Sequence, residues 1–266
     1  TLLIDPKANK VRGVAKLTKK DARSSTGLFL LEGPQGLKEA LNRPKLIVEL
    51  FATEDAVERY PDLFERAESS RIEVQLVSEP VLKALTDTTT PQGIVAVCEQ
   101  LHSDLADIIA AKPRLVALLA NIRDPGNAGT VLRAADAAGA DAVIFSTNSV
   151  DVYNPKVVRS TTGSVFHVPF AVDVPIEDAI AALKSAGLQV FAANGGGVEI
   201  PSLGDEVLAK PTAWVFGNEA WGFEQSTLDL VDQEVAVPLY GAAESLNLAT
   251  AASICLYVTA FAQNKA

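Results

Sequence analysis

The sequence predicts an α/β protein with a parallel sheet in its C-terminal half, preceded by a smaller α/β domain. Short apolar, β-branched runs alternate with helical patterns along the chain. The alternation pauses near Pro113 and then restarts. In the second half, three loops of small, polar, turn-forming residues each follow an apolar run, which is typical of the carboxyl ends of parallel strands. We therefore expect one composite site at that edge of the sheet.

The composition is that of a folded globular protein. The chain has 266 residues, of which 48% are hydrophobic and 21% charged, enough for one large or two ordinary domains. The N-terminus lacks the apolar core of a secretory leader. Cys98 and Cys255 lie in separate apolar segments. We therefore expect a cytoplasmic protein with reduced, buried cysteines.

The longest apolar tract, near 246–262, predicts a buried helix and no membrane association. Four polar residues interrupt it, and it is too short and too mixed for a transmembrane span. These residues are Asn247, Thr250, Ser253 and Thr259.

The first predicted domain covers 1–105. Its apolar runs predict strands at 28–32, 46–52, 72–77 and 93–98, with helices between them at 35–42, 54–69 and 79–85. Gly33-Pro34 marks a turn and a helix start, and residues 86–93 form a polar loop. This order predicts a small α/β layer domain.

The second predicted domain covers 114–266, after a linker at 110–114. We predict strands at 115–120, 142–146, 165–169, 188–193, 212–216 and 234–238, and helices at 128–138, 176–186, 224–231 and 246–262. Strands that alternate with helices in this way indicate a mainly parallel sheet.

Charge is distributed unevenly along the chain. The net charge is −10, yet residues 1–45 contain ten basic and four acidic side chains. A basic N-terminal segment on an acidic body is compatible with a polyanionic partner that docks at one place. A lysine-rich, solvated helix without a binding role explains the same pattern.

Several common catalytic patterns are absent from the sequence. No GxGxxG opens a helix, no Walker or GxSxG motif occurs, and no helical pattern follows Asn194-Gly195-Gly196-Gly197 directly. Only two histidines are present. His167 lies in an apolar run, where a core or edge histidine is the ordinary explanation. The sequence therefore gives little support to histidine catalysis, and we expect no metal site.

Five polar residues in the three loops remain as candidates for chemistry: Asn127, Arg133, Glu219, Ser245 and Asn247. Each has an ordinary structural explanation. Asn127 and Ser245 are plausible helix caps, Arg133 a surface residue, and Glu219 a carboxylate that favours a helix N-terminus. It is the joint occurrence of all five that indicates a function.

The three loops resemble the three motifs of the SpoU-type branch of the SPOUT methyltransferases, which are RNA ribose 2′-O-methyltransferases. The motifs lie at 121–133, 216–222 and 237–249, in the family's order and spacing, and the resemblance covers about 114–266. Residues 25–100 are similar to the ribosomal-protein-like substrate-binding domain often fused in front. Phe29-Leu30-Leu31-Glu32-Gly33 and Thr90-Pro91-Gln92-Gly93 carry that weaker match.

The resemblance implies S-adenosylmethionine as cofactor, a C-terminal trefoil knot, and a homodimer formed through the C-terminal domain. Small side chains such as Ala252 in the last helix would allow tight packing between subunits. By carry-over, the cofactor lies against the main chain near Ala193, Gly195, Gly217, Val237, Leu239 and Leu246. Glycine permits close approach, and apolar neighbours suit the adenine.

The resemblance assigns the chemistry to Arg133, with Asn127, Glu219, Ser245 and Asn247 around it. Arginine is a poor general base because its pKa exceeds about 12, so we interpret Arg133 as a phosphate clamp that stabilises the forming alkoxide. A substrate phosphate or Glu219 would accept the proton.

Three alternatives to a ribosomal RNA methyltransferase stay open. We favour 23S rRNA over transfer RNA by family analogy alone. A transfer RNA 2′-O-methyltransferase and a non-catalytic RNA-binding protein of the same fold both fit the motifs. A Rossmann-type oxidoreductase is disfavoured by the missing glycine fingerprint.

Overall fold

The structure is a computed structural model that describes residues 1–265. The chain forms two compact units. The first contains Thr1–Leu101 and Tyr153–Phe166, and the second contains 102–152 and the chain from His167 onward. The functional domains predicted from the sequence, 1–105 and 114–266, stay predictions, because the two compact units are defined by packing and not by function.

The helices and strands are numbered along the whole chain. The first unit contains α1 (Asn9–Ala15), α2 (Lys20–Thr26), β1 (Leu28–Glu32), α3 (Pro34–Ala40), β2 (Ile47–Ala52), α4 (Glu54–Arg59), α5 (Pro61–Ser69), β3 (Val74–Leu76), α6 (Glu79–Leu85), β4 (Ile94–Glu99) and α9 (Pro155–Thr161). The second unit contains α7 (Leu105–Ala110), β5 (Leu115–Leu119), α8 (Pro125–Ala137), β6 (Ala142–Ser146), β7 (Phe170–Val174), α10 (Ile176–Ser185), β8 (Gln189–Glu199), α11 (Asp205–Leu208), β9 (Thr212–Phe216), α12 (Gln225–Leu228), β10 (Gln233–Ala236) and α13 (Leu248–Lys265).

The first unit is built on a mixed four-stranded sheet with the order β1-β4-β2-β3. Strands β1 and β2 both pair with β4 in the antiparallel direction, and β3 runs parallel to β2. The four predicted strands are confirmed, with bounds shifted by at most two residues. The predicted helix 54–69 is instead two helices. Pro61 disfavours helical geometry at the residue before it, and Tyr60 adopts φ −123°, ψ 53° there.

The basic N-terminal segment is folded into the first unit. Val11, Val14 and Leu17 are buried in the core cluster that covers one face of the sheet. Arg23 is 2% exposed. Its guanidinium donates a hydrogen bond to the carbonyl oxygen of Leu17 at 2.9 Å, so its role is structural. Other basic residues of the segment, Lys16 and Lys19 among them, are exposed.

The second unit is built on a six-stranded sheet with the order β10-β8-β9-β5-β6-β7. All five pairings are parallel, which confirms the predicted parallel sheet. Helices α7 and α10 pack on the face that carries Val116 and Leu118. Helix α13 lies against β9, where the Trp214 indole donates a hydrogen bond to Thr259 at 2.9 Å. With its helices in place the sheet has a core on both faces, as parallel sheets require.

The predicted strand at 165–169 is wrong. Residues Ser164–Phe166 form a 3₁₀ turn, and β7 begins only at Phe170. The apolar run has another cause: Val165 and Phe166 are buried in the first unit, whereas Val168 is buried in the second. His167, at the point where the chain passes between units, is exposed, and its Nδ1 lies 2.7 Å from Asp136 Oδ2.

The length of β8 and several short helices also differ from the sequence-based expectation. The strand predicted at 188–193 continues to Glu199. Helices α7, α9 and α11 were not predicted and have six, seven and four residues. Such short segments do not show a helical period. None of the described helices is long and apolar enough to cross a membrane. The trefoil knot stays a prediction.

Glu32, the last residue of β1, has a largely buried carboxyl group. Its side chain is 6% exposed and its Oε2 lies 3.3 Å from the Arg159 guanidinium on α9. The backbone N–H of Asp87 donates to Oε1 at 3.2 Å. Burial raises the pKa of Glu32 above its usual value, and this effect exceeds the lowering by the Asp87 N–H and the Arg159 charge.

We expect Glu32→Gln to change the pH dependence of stability. A raised pKa means that the folded state binds the proton more tightly than the unfolded state. The free energy of unfolding of the wild type therefore falls as pH rises from about 4.5 through the folded-state pKa. Glutamine does not titrate, so the stability of the variant relative to the wild type should rise over that window. Urea unfolding at a series of pH values measures this difference.

The matched control is Asp55→Asn, which removes an exposed carboxylate from the same unit. Its stability relative to the wild type should not follow the same rise. A Glu32→Gln difference that is independent of pH would contradict the raised pKa.

Candidate functional site

Two neighbouring parallel strands of the second unit, β5 and β9, end at the same level. Leu119 of β5 is paired with Phe216 of β9, and Phe216 is paired with Ala193 in the middle of β8. The loops after β5 and β9 therefore begin beside the irregular stretch of β8 that follows Ala193, at one edge of the sheet. This is the edge at which parallel α/β sheets bind their ligands.

A cavity of about 530 Å³ opens at this edge. It is lined by all six residues predicted to contact a cofactor: Ala193, Gly195, Gly217, Val237, Leu239 and Leu246. Four of the five polar candidates also line it, namely Asn127, Glu219, Ser245 and Asn247. The structure thus brings ten of the eleven predicted residues to one cavity, whereas the role of each stays a prediction.

The carboxylate of Glu219 links the loop after β9 to the start of α8. Its Oε2 accepts a hydrogen bond from the backbone N–H of Arg123 at 3.2 Å, and its Oε1 accepts one from Asp124 at 3.0 Å. Both oxygens of the side chain are held by main-chain donors. The position of Glu219 at the cavity wall is therefore fixed by the backbone.

Asn218 was missed by the sequence analysis, although it lies directly before Glu219. Its Nδ2 donates to the carbonyl oxygen of Asn121 at 2.6 Å, and its Oδ1 accepts from the N–H of Ala220 at 2.8 Å. Its backbone also exchanges two hydrogen bonds with Gly222. A Cβ on Gly217 would lie 2.7 Å from the Gly222 carbonyl oxygen, so this tight loop requires glycine there. The side chain of Asn218 is buried, and in the sequence nothing marks this residue other than its place in the motif.

Two asparagines tie together the starts of α8 and α13. Asn247 Oδ1 accepts hydrogen bonds from the backbone N–H groups of Ala249 and Thr250, which is the geometry of a helix N-cap. Its Nδ2 donates to Asn127 Oδ1 at 3.1 Å. The residues that cap these two helices are not the ones expected from the sequence. Asp124, rather than Asn127, caps α8, and Asn247, rather than Ser245, caps α13.

Arg133 is the one predicted site residue that lies outside the cavity lining. It is exposed on α8. Six helical positions separate it from Asn127, which is roughly 240° of rotation at 3.6 residues per turn. The two side chains therefore project from different faces of the same helix. Within one chain, Arg133 faces the surface beside the cavity rather than the cavity itself.

A glycine-rich bulge in β8 forms one side of the cavity. In β10, Glu234 pairs with Ala192 and the next residue pairs with Val198, so residues 193–197 of β8 have no partner in β10. Asn194 Nδ2 donates to Glu234 Oε2 at 2.6 Å and holds the bulge to β10. Gly197 lies directly against the Glu234 backbone, where a Cβ would not fit. Nothing in the sequence around Glu234 indicates this contact.

The cavity combines carboxylates with an apolar wall. Glu219 and Glu244 line it, and its described lining contains no lysine, arginine or histidine. Phe216, Val237 and Leu248 contribute apolar surface. Such a lining favours a ligand that combines a positive charge with an apolar ring system.

The described residues offer neither a reactive thiol nor a cluster of metal ligands. Burial raises the pKa of Cys98 and of Cys255 to about 12, so both thiols stay protonated at neutral pH. Among the described residues, no group of three or more His, Cys, Asp and Glu side chains is arranged to hold a metal ion.

The fold and the cavity define a class: a parallel α/β protein with a cofactor-sized cavity built from the segments after β5, β9 and β10 and from the bulge of β8. Family comparisons make this class specific. Residues 114–257 match the SpoU rRNA methylase family, and residues 30–103 match the RNA 2′-O ribose methyltransferase substrate-binding family. The chain belongs to the SpoU rRNA methylase family, which confirms the resemblance seen in the three motifs.

Relatives of known name are similar over nearly the whole chain. The 23S rRNA (guanosine(2553)-2′-O)-methyltransferase RlmP of Bacillus subtilis is 37% identical over 255 residues, covering 94% of this chain and 96% of that protein. A crystal structure of an AdoMet-bound rRNA methyltransferase from Sinorhizobium meliloti superimposes with a TM-score of 0.85 at 31% identity, covering 97% of each chain. The SpoU methyltransferase AviRb from Streptomyces viridochromogenes, in complex with AdoMet, gives a TM-score of 0.82 at 28% identity, covering 97% of this chain and all of that one.

Proposed function

We propose that this protein transfers a methyl group from S-adenosylmethionine to a ribose 2′-hydroxyl of 23S rRNA. The observation that carries the proposal is the single cavity that joins residues of all three SpoU motifs. Relatives named as 23S rRNA 2′-O-methyltransferases support the reaction and the substrate class. A transfer RNA substrate is the second candidate, because one relative at 31% identity is named as an uncharacterised tRNA/rRNA methyltransferase. We place the reaction in the cytoplasm, where unassembled rRNA is accessible.

The cavity suits S-adenosylmethionine chemically. No side chain obstructs Gly195, since a Cβ there would meet no atom within 4 Å, and a ligand can approach its backbone closely. Val237, Leu239 and Leu246 offer apolar contact to an adenine ring, while Glu219 and Glu244 favour a cationic ligand. When bound, the cofactor supplies an electrophilic methyl group.

The chain's own residues would position the ribose and manage the proton. Glu219 is held by two backbone N–H groups and lies in the cavity wall, so it can accept a proton or orient the 2′-hydroxyl. The linked amides of Asn127 and Asn247 line the same cavity. Alignment of the reacting groups can lower the barrier by roughly 7–11 kcal/mol in favourable cases.

Arg133 is proposed to act from the RNA side. It is exposed on α8 and outside the cavity lining, which suits a residue that clamps a substrate phosphate and stabilises the forming alkoxide. A role in cofactor binding is not supported by this position.

We expect Arg133→Ala to reduce methyl transfer by about 10²–10³, the loss typical of removing an electrostatic donor from a transition state. Cofactor affinity should stay within a few fold of wild type. Arg133→Lys should also fail, because a lysine cannot make a bidentate phosphate contact. Incorporation of labelled methyl groups into 23S rRNA measures the reaction.

Cofactor binding can be followed separately in the same variants. The chain has two tryptophans; Trp214 is fully buried, whereas Trp221 is 54% exposed and adjoins lining residue Gly222. Quenching of Trp221 emission by added S-adenosylmethionine reports on the cavity. Residual turnover above about a tenth of wild type would refute the role of Arg133. Cofactor binding by the wild type without any methyl transfer would favour a non-catalytic RNA-binding protein.

A homodimer formed through the C-terminal domain is also proposed, with a different contact from the one first expected. Ala252 is fully buried within its own chain, so Ala252→Arg would test folding rather than assembly. Phe261 of α13 is 60% exposed and its ring lies 5.5 Å from that of Tyr257. An exposed aromatic ring packed beside the half-buried ring of Tyr257 is a better candidate for a subunit contact.

We expect Phe261→Arg to convert the dimer to monomer, because a desolvated arginine opposes apolar association. Sedimentation equilibrium measures the mass. Ile4→Arg, at a residue 66% exposed in the first unit, is the matched control and should leave the dimer intact. A wild-type protein that sediments as a monomer, or a dimeric Phe261→Arg variant, would contradict this interface.

The basic N-terminal segment is proposed to attract the RNA. Replacing Lys16, Lys19 and Lys20 with Gln should weaken binding to 23S rRNA without altering cofactor binding or thermal stability. Each lost phosphate contact lowers the slope of log K against log salt by roughly 0.7–0.9, so three should flatten it by about two units.

A triple variant of Lys83, Lys112 and Lys210 to Gln is the control for net charge, since these lysines are exposed and lie outside the segment. It should change the slope much less. Equal affinity and slope for wild type and the N-terminal variant would mean that the segment is only a solvated pair of helices.

A further inference from the structure

The first unit contains a cavity of about 350 Å³ that the proposed methyl transfer does not use. Its floor is the end of β1, and its walls come from α3, the loop that contains Thr86, Thr88 and Thr90, and helix α9. Its volume lies near the lower end of the range for small-molecule sites, about 300–1,000 Å³, which limits the occupant to a group of nucleotide size.

This cavity is built from two stretches of chain that different family models describe. Residues such as Glu32 and Gln92 lie in the substrate-binding match at 30–103. Arg159 and Gly163 lie in the methylase match at 114–257, yet they belong to the first compact unit. Neither family region alone contains the complete cavity.

The polar groups of the cavity are held in place by one another. Arg159 lies 3.3 Å from Glu32 and 3.8 Å from Asp87. The Glu32 side chain is 94% buried and still has acceptor capacity at Oε2, which receives a hydrogen bond only from Arg159 among the described contacts. Gln92 lies over Gly33, which has φ +86°, and a Cβ there would meet the Gln92 amide oxygen at 2.7 Å. The glycine therefore leaves room for this amide in the cavity.

The lining suits a neutral ring with donors and acceptors on its edge. Hydroxyl, amide and carboxylate groups offer both kinds of hydrogen bond, while Leu31, Pro91, Ile94 and Val158 offer apolar surface to a ring face. The only cation in the described lining, Arg159, is already paired with two carboxylates, so a phosphate would gain little there. Proteins read an extruded base by hydrogen bonds to its edge and by contact of its faces with aromatic or apolar side chains, and this lining offers the hydrogen bonds and the apolar contact.

We propose that this cavity binds a single unpaired nucleobase of the RNA substrate, with Glu32 accepting a hydrogen bond from a ring or exocyclic N–H. The proposal rests on the proposed function for the identity of the polymer. The bound base is distinct from the methylated nucleotide, so the cavity contributes to recognition of the RNA and not to the reaction. Glu32 thus binds the base directly, and Arg159 is a positioning residue that holds the Glu32 carboxylate.

The test uses the full-length protein with fluorescein-labelled single-stranded RNA hexamers of mixed sequence, and with the same hexamers in a duplex. Glu32→Gln keeps the shape of the side chain but removes the charged acceptor. We expect it to weaken single-strand binding about tenfold, the size of one lost hydrogen bond to a charged group. Duplex binding should not change. Asp55→Asn, which removes an exposed carboxylate of the same unit, should stay within about twofold of wild type.

Two further measurements sharpen the test. One distinguishes a lost base contact from a lost phosphate contact, and the other distinguishes a local loss of binding from misfolding. A lost base contact leaves the slope of log K against log salt unchanged, whereas a lost phosphate contact lowers it by about 0.7 for single strands. Thr90→Val is the second variant in case Glu32→Gln does not fold. It changes an exposed loop position and should also weaken hexamer binding. In methylation assays both variants should raise the KM for 23S rRNA and leave kcat nearly unchanged.

Unchanged hexamer affinity and rRNA KM in Glu32→Gln and Thr90→Val would overturn the proposal. Equal losses on single strand and duplex, or a reduced salt slope, would overturn it as well. The proposed function is tested independently, because a chain that binds hexamers through Glu32 but never methylates RNA would keep the cavity assignment and lose the enzymatic one.

Discussion

The site depends on one geometric constraint, the register of three neighbouring parallel strands. Leu119, Phe216 and Ala193 lie at the same level of the sheet, so the loops after β5 and β9 start beside the bulge of β8. Those loops contain residues far apart in sequence. A one-residue slip of β9 would turn its buried side chains to the opposite face and displace Glu219 from the N–H groups of Arg123 and Asp124. The buried cores on both faces therefore hold the register on which the cavity depends.

Within this frame, side chain to main chain hydrogen bonds convert flexible loops into a fixed surface. Glu219, Asn218 and Asn247 each bond to backbone groups. Each such bond contributes only about 0.5–1.5 kcal/mol net, and those of a charged carboxylate about 1.5–3. Their value lies in orientation, because polar groups that already have partners need not reorganise when a ligand binds. A side chain that holds a loop in place can also line a binding site, which is why an ordinary structural explanation fitted Glu219 in isolation.

The sequence predicted the class of fold and the parallel sheet because periodicity is a local property. Of the eleven site residues that the motifs and the family resemblance implied, ten line the cavity. The sequence could not predict features that depend on contacts between distant segments. The strand expected at 165–169 failed because its apolar residues are buried in two different units. Arg133 was grouped with Asn127 by its motif, whereas the rotation of α8 separates their directions. The hydrogen bond between Asn194 and Glu234 joins residues forty apart and leaves no pattern in either segment.

The path of the chain also bears on how recognition and catalysis are combined. The segment Tyr153–Phe166 lies inside the methylase match by sequence but belongs to the first unit. There the ring of Phe29 lies 4.9 Å from that of Tyr153 and 6.3 Å from that of Phe166. A fragment that begins at residue 114 would lose Phe29 and expose these rings, which are buried in the whole chain. The methylase match at 114–257 therefore does not correspond to one packing unit, because part of it belongs to the first unit. Because the chain enters the first unit a second time between β6 and β7, that unit is built from residues of both family matches.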